Sequence, residues 1–265
     1  MAPGHPADAI VPTYEVFALR HSVRSQDLTP DERARAKSDM LKLIDQDNMV
    51  VFYERVCSEF DWSVDTNLVS KMKAENTKNL KELQDAITEA EKQYGDVEIK
   101  DGKLAIAHHY CRIGDWQTAQ ERYEDLLDAK ALDSTSKVNI YLTLMRIALF
   151  EKDVTKCQEW LDKAEKQFEV AGDWETRNRV RVYEAMHLAQ NLRKFEKAAE
   201  LLISSLATFT ASELLSFEHF VTLTVLLSAA SLERPILKQN VQRSPEVLQV
   251  LAGKSRLATF FNSLM

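Results

Sequence analysis

Along most of the chain, apolar residues recur at three- and four-residue steps, the spacing that lines one face of a helix. Leu80, Leu83, Ile87, Ala90 and Tyr94 form such a stripe within Leu68–Tyr94, a stretch rich in Lys, Glu and Ala with no Gly or Pro. This predicts one long amphipathic helix. The stripe is shorter than the three or four heptads of a self-sufficient coiled coil, so it is expected to pack on the rest of the protein. Upstream, Tyr14–Val23 reads as a short helix. Thr29-Pro30-Asp31-Glu32 reads as a helix start, with Thr29 as cap, Pro30 in the first turn and Glu32 completing a capping box. That helix should run to about Asp47. Asn48–Phe60 puts Met49, Phe52, Tyr53 and Val56 on one face.

From Leu104 the pattern repeats. Helical stretches pair as Leu104–Ile113 with Trp116–Lys130, Val138–Phe150 with Val154–Val170, Asn178–Gln190 with Phe195–Phe209, and Leu214–Leu232 with a short helix to about Gln242. The breaks near 114, 152, 193 and 234 lie roughly 40 residues apart. Helix–turn–helix units of that period predict an all-α fold, a right-handed α-solenoid of tetratricopeptide-like helix pairs. Ala105, Ala107, Ala119, Ala198 and Ala199 fall where adjacent helices would approach closely. The expected organisation is a flexible lead over 1–13, N-terminal helices with the long amphipathic one over 14–102, and the repeats over 103–265. Ser244-Pro245-Glu246 starts another helix. The tail beyond it is apolar (Leu248, Val250, Leu251, Leu257, Phe260, Phe261, Leu264), which suggests that more chain or a partner should follow.

Composition supports the helical reading. Six Gly and six Pro in 265 residues fall short of the ~7% and ~5% usual for each, and of the turn residues an all-β fold needs. Hydrophobic residues at 45% and charged ones at 28% give the balance of a globular chain rather than a disordered one. Basic residues number 34 against 41 acidic, a net charge of −7, which argues against general nucleic-acid binding. No run approaches the ~18 apolar residues of a membrane span, and Met1–Pro12 lacks the pattern of a secretory signal. Cys57, Cys111 and Cys157 are odd in number and far apart, as in a reducing compartment.

Catalytic chemistry is not legible. Gly253-Lys254-Ser255 resembles the end of a phosphate-binding loop, but Leu248 stands where that loop needs its first glycine. His108, His109 and Cys111 lack the four-residue step of paired zinc ligands on a helix, and a buried histidine beside a buried cysteine is the plainer reading. No nucleophile elbow, C-x-x-C pair or G-x-G-x-x-G occurs. We therefore expect no catalytic, cofactor-binding or metal-binding residues and no small-molecule substrate.

One polar cluster is denser than its surroundings. Asp173-Trp174 precedes Arg177, Asn178, Arg179 and Arg181, followed by Arg193, Lys194 and Lys197. Asp173 can cap a helix. Arg177 and Arg181 share a face, and Arg179 points away from it. Two readings stand. The arginines bond carbonyls and carboxylates of the next helix pair, with a buried Trp174 helping to order the middle of the repeats. Alternatively, they form a basic docking strip for an acidic segment, since arginine offers bidentate contacts. Aromatic interleaving for base stacking is missing.

Gly172-Asp173-Trp174, Arg177-Asn178-Arg179 and Val182-Tyr183 resemble the signature of one proteasome regulatory-lid subunit family and its signalosome paralogue. Thr208-Phe209-Thr210 with Glu213-Leu214, Leu232-Glu233-Arg234-Pro235 and Ser244-Pro245-Glu246-Val247-Leu248 are similar to later blocks of that family. Asn48-Met49, Phe52-Tyr53-Glu54, Cys57, Asp61-Trp62, Lys71-Met72-Lys73, Gly95-Asp96 to Asp101 and Tyr110 to Asp115 resemble the proteasomal branch specifically. The resemblance runs from about Asp45 to Leu251. It implies the seventh non-ATPase lid subunit of the PCI family: a non-catalytic scaffold with a helical-repeat arm and a C-terminal winged helix. Its partners would be other lid and base subunits, in cytoplasm and nucleus, with no nucleic acid or membrane. The chain is expected to end before the winged helix. A signalosome subunit or a free-standing tetratricopeptide-type peptide binder are the alternatives.

Overall fold

The computed structural model describes residues 14–93, 95–127, 132–171 and 174–264, and every regular element among them is a helix. The fold is thus of the all-α helical-repeat class. The expected lead over 1–13, Tyr94 at the end of the long stripe, and the proposed cap Asp173 lie outside the described residues. Two compact units meet in sequence between Leu132 and Asp133.

The first unit contains α1 (Tyr14–Arg24), α2 (Pro30–Gln46), α3 (Val50–Glu59), α4 (Thr66–Gln93), α5 (Asp96–Arg112) and α6 (Trp116–Leu127). The capping box of α2 forms as its sequence predicts: Thr29 Oγ1 accepts from the Glu32 N–H at 3.3 Å, and the Glu32 carboxylate accepts from the Thr29 N–H at 2.9 Å. Met49, Phe52, Tyr53 and Val56 are all buried. Phe52 and Trp116 meet the half-buried Phe17, ring centres 5.3–5.8 Å apart, so that α1, α3 and α6 share one aromatic core. Leu80, Leu83 and Ile87 of α4 are half-buried and Ala90 buried, with α5 packed along them. Helix α5 starts ahead of its apolar stretch at Leu104, because the Glu98 carboxylate accepts from the Gly95 N–H at 3.2 Å and holds the first turn.

The second unit contains α7 (Ser134–Glu151), α8 (Val154–Ala171), α9 (Trp174–Gln190), α10 (Phe195–Ser204), α11 (Phe217–Ser231), α12 (Arg234–Ile236), α13 (Pro245–Gly253) and α14 (Ser255–Leu264). Consecutive helices pair, α7 with α8 and α9 with α10, and α11 packs on α10, α13 and α14. Helix α10 stops at Ser204 rather than reaching Phe209. The Ser204 and Ser205 hydroxyls both bond back to the Leu201 carbonyl, and a single tight turn, Leu206–Thr208, follows. Helix α11 starts at Phe217, not Leu214, capped by Ser216, whose hydroxyl accepts from the His219 N–H. The apolar tail is split. Val250, Leu251, Leu257 and Phe261 turn inward, while Leu248 and Phe260 stay exposed.

The interhelical turns share one device. Asn48, Asp61, Gly114, Lys152 and Arg193 each have φ between 50° and 80°, and each closes the turn between two successive helices. The breaks at 114, 152 and 193 are these turns. The one at 234 differs: Glu233 is extended and Pro235 sits in the first turn of α12. At Gly114 (φ 80°) a methyl group would lie 2.8 Å from Phe52 Cβ and 3.2 Å from its backbone nitrogen. Gly114→Ala should therefore lower stability by about 1–3 kcal/mol, read as a reduced urea midpoint with an unchanged slope.

Candidate functional site

Three segments of the second unit converge on Glu213, in the stretch between α10 and α11. Arg179 of α9 donates from Nε at 2.8 Å and approaches with Nη2 at 2.7 Å, both to Glu213 Oε1. Its Nη1 donates to Asn139 Oδ1 of α7 at 2.8 Å. Arg146 of α7, 4% exposed, donates from Nη1 to the Glu213 backbone carbonyl at 3.3 Å. Tyr183, one turn beyond Arg179, has no exposed surface. Burial is the main cause pushing its hydroxyl pKa up; Glu213 adds to this, while Arg146 and Arg179 oppose it. Glu213 thus holds two guanidinium groups where little water reaches them, Arg179 through its carboxylate and Arg146 through its backbone carbonyl. Removing the carboxylate would leave Arg179 short of counter-charge, which is costlier than losing a surface ion pair.

The remaining candidate residues fall elsewhere on α9. Asn178 is buried, Arg177 exposed and Arg181 half-buried. Trp174 was expected inside and is 64% exposed. It opens α9 on the same side as Arg177 and Arg181, a side that turns inward further along the helix at Ala185 and Leu188. Asp173 is outside the described residues. Arg146 and Asn139 were not anticipated. A detectable signal for Arg146 was a lone charge inside the apolar run Leu144-Met145-Arg146-Ile147-Ala148.

The other sequence candidates have structural partners. His108 Nδ1 lies 2.6 Å from the Tyr123 hydroxyl, and Cys111 is buried. Lys254 pairs with Glu218 at 2.9 Å, and Ser255 begins α14. Among the described residues no group of three His, Cys, Asp or Glu side chains is arranged to hold a metal, and no helix is long and apolar enough to cross a membrane. Burial raises the Cys157 thiol to about 12, so it is no nucleophile at neutral pH.

Residues 65–240 match the family described as 26S proteasome subunit RPN7, a span that includes the whole Glu213 cluster. The chain belongs to the RPN7 family. It is 35% identical over 94% of its length to the "26S proteasome non-ATPase regulatory subunit 6 homolog" of Arabidopsis thaliana, covering 63% of that protein. Against the "26S proteasome non-ATPase regulatory subunit 6" of Dictyostelium discoideum it is 34% identical over 84% of the chain and 58% of the relative. Against the "26S proteasome regulatory subunit RPN7" of Saccharomyces cerevisiae the identity is 29%, over 93% of the chain and 62% of the relative. This RPN7 family member therefore spans about three-fifths of the length of these relatives.

Two outcomes follow from this geometry. Glu213→Gln should cost about 3 kcal/mol of unfolding free energy, whereas Trp174→Ala should stay within about 0.5 kcal/mol of the parent; chemical denaturation of both variants checks the contrast. Buried His187, bonded to Gln158 and Asn191, and His109 are both lowered from the ordinary 6.5, chiefly by burial. The unfolded chain then takes up their protons first, so stability is complete above about pH 6.5 and lost as pH falls toward the folded-state values. Melting temperature against pH should show this decline, and His187→Gln should flatten it.

Proposed function

We propose that this chain is a non-catalytic scaffold in the lid of the proteasome 19S regulatory particle, working in cytoplasm and nucleus. It would support assembly and ubiquitin-dependent protein degradation through contacts with other lid and base subunits. The observation that carries this reading is the RPN7 match across residues 65–240, together with relatives named as non-ATPase regulatory subunits. Stacked helix pairs suit it physically, because such units present long continuous surfaces and need no reactive site. The internal pairing of Arg179 with Glu213 and of Lys254 with Glu218 agrees with a role in holding shape rather than turning over a substrate.

The test is native purification of the chain, tagged at Met1 in its own cells, followed by measurement of particle size and subunit content. Co-purification of lid and base subunits in a megadalton particle supports the proposal. A chain that runs alone, or carries signalosome subunits instead, overturns it.

A further inference from the structure

Helix α2 carries a pattern that its packing does not use. Arg33 and Arg35 stand five and three residues before Ser38, in the run Arg33-Ala34-Arg35-Ala36-Lys37-Ser38. No other serine or threonine of the chain has arginine at both places. Two arginines at these steps suit a kinase with carboxylate-lined substrate pockets, since each guanidinium can take a carboxylate through paired hydrogen bonds. Ser38 is exposed, as are Arg35 and Lys42. Arg35 lies one turn before Ser38 on the helix and Lys42 one turn after it, so both cations share its side. Lys42 is bonded to the Asp39 carboxylate at 2.8 Å, an exposed pair that contributes little and can be exchanged for a stronger anion.

We propose that Ser38 is a phosphorylation site for an arginine-directed protein kinase, and that the phosphate, once in place, is held by Arg35 and Lys42. In the transfer, Ser38 Oγ attacks the γ-phosphorus of ATP. The Oγ–P bond forms as the bond from that phosphorus to the β–γ bridging oxygen breaks. ADP leaves with that electron pair, and the hydroxyl proton passes to the base of the kinase. A kinase binds its substrate extended, so the start of α2 has to open. Of residues 30–38 only Ala36 is buried, and the larger anchors of α2, Met40 and Ile44, come after Ser38. Opening this stretch exposes little apolar surface, and such segments open locally at a small part of the global cost. Thr259 also has cations five and three residues before it, Lys254 and Arg256. It is the poorer acceptor: Lys254 is paired with Glu218, Leu257 is buried between them, and the Thr259 hydroxyl donates to the Ser255 carbonyl. At Ser38 the phosphate dianion arrives between two cations, where it forms charge-assisted hydrogen bonds as the helix closes again. The inference rests on the side chains of α2 and not on the scaffold reading, so either can fail without the other.

The test incubates the purified full chain with a kinase that selects arginine at these two positions, in magnesium ATP, and maps the phosphate by mass spectrometry. We expect incorporation at Ser38, its loss in Ser38→Ala, and a rate at least about tenfold lower for Arg35→Gln. Arg35→Lys keeps the charge without the guanidinium fork, and its rate should fall between the two. Thr29→Ala removes the cap of α2, so the start of the helix opens more often and Ser38 should be phosphorylated faster. Phosphorus NMR then reads the product. The second pKa of the phosphoserine should lie below its ordinary value of about 6, and Lys42→Gln should move it back up with the helical circular dichroism unchanged. The proposal is overturned by incorporation no greater than in Ser38→Ala, by phosphate confined to Thr259, by an Arg35→Gln chain phosphorylated as fast as the parent, or by a phosphoserine pKa at or above about 6.

Discussion

Ala107, Ala119, Ala164, Ala198 and Ala199 have no exposed surface because neighbouring helices pass over them at a separation that only a methyl group allows. At Gly102 the approach is closer still: a methyl there would lie 2.5 Å from Ile87 Cγ1, where α4 meets α5. A helix pair carries more apolar surface than it can bury within itself, and close contact with the next helices removes the rest. Small residues at the crossings make that contact possible. The aromatic core of the first unit and the packing of α7 to α11 in the second both depend on helices brought this near.

Close packing brings a polar cost, and Glu213 meets it. Arg146 sits among Leu144, Met145 and Ile147, where a cation is expensive to bury. Supplying its partner from the backbone of a non-helical stretch ties α7 to the segment before α11, and Arg179 ties α9 to the same residue. Glu213 therefore links three segments at once, α9 through its side chain and α7 through its backbone. The turns behave similarly. Asn48, Asp61, Lys152 and Arg193 accept a left-handed backbone that costs about 1 kcal/mol for most residues, and each is stabilised by helices on either side that pack only if the turn is that tight.

In this RPN7 family member the ion pairs Arg179–Glu213 and Lys254–Glu218 link separate segments of the second unit. The second unit uses ion pairs to set helices against one another, and leaves Trp174 and Arg177 at the start of α9 exposed. On one short stretch of helix, Arg179 is tied to Glu213 while Arg177 stands at the surface.

Helix existence, the capping box at Thr29, the turns near 114, 152 and 193, and the inward faces of α3 and α4 were legible from residue order, because each depends on contacts within a few positions along the chain. So was the resemblance to the lid family, which rests on ordered blocks of residues. The end of α10 at Ser204 was less so, since a serine hydroxyl bonds a backbone carbonyl only once the surrounding packing lets the helix stop there. The partners of Arg179 and Arg146 were beyond reach for a stronger reason: Glu213 lies 34 and 67 positions away from them, and no periodicity encodes which distant carboxylate arrives. Trp174 illustrates the same limit. Its size argued for the interior, but burial belongs to the face a residue occupies once helices are packed, and only the packed structure decided that this face of α9 is open.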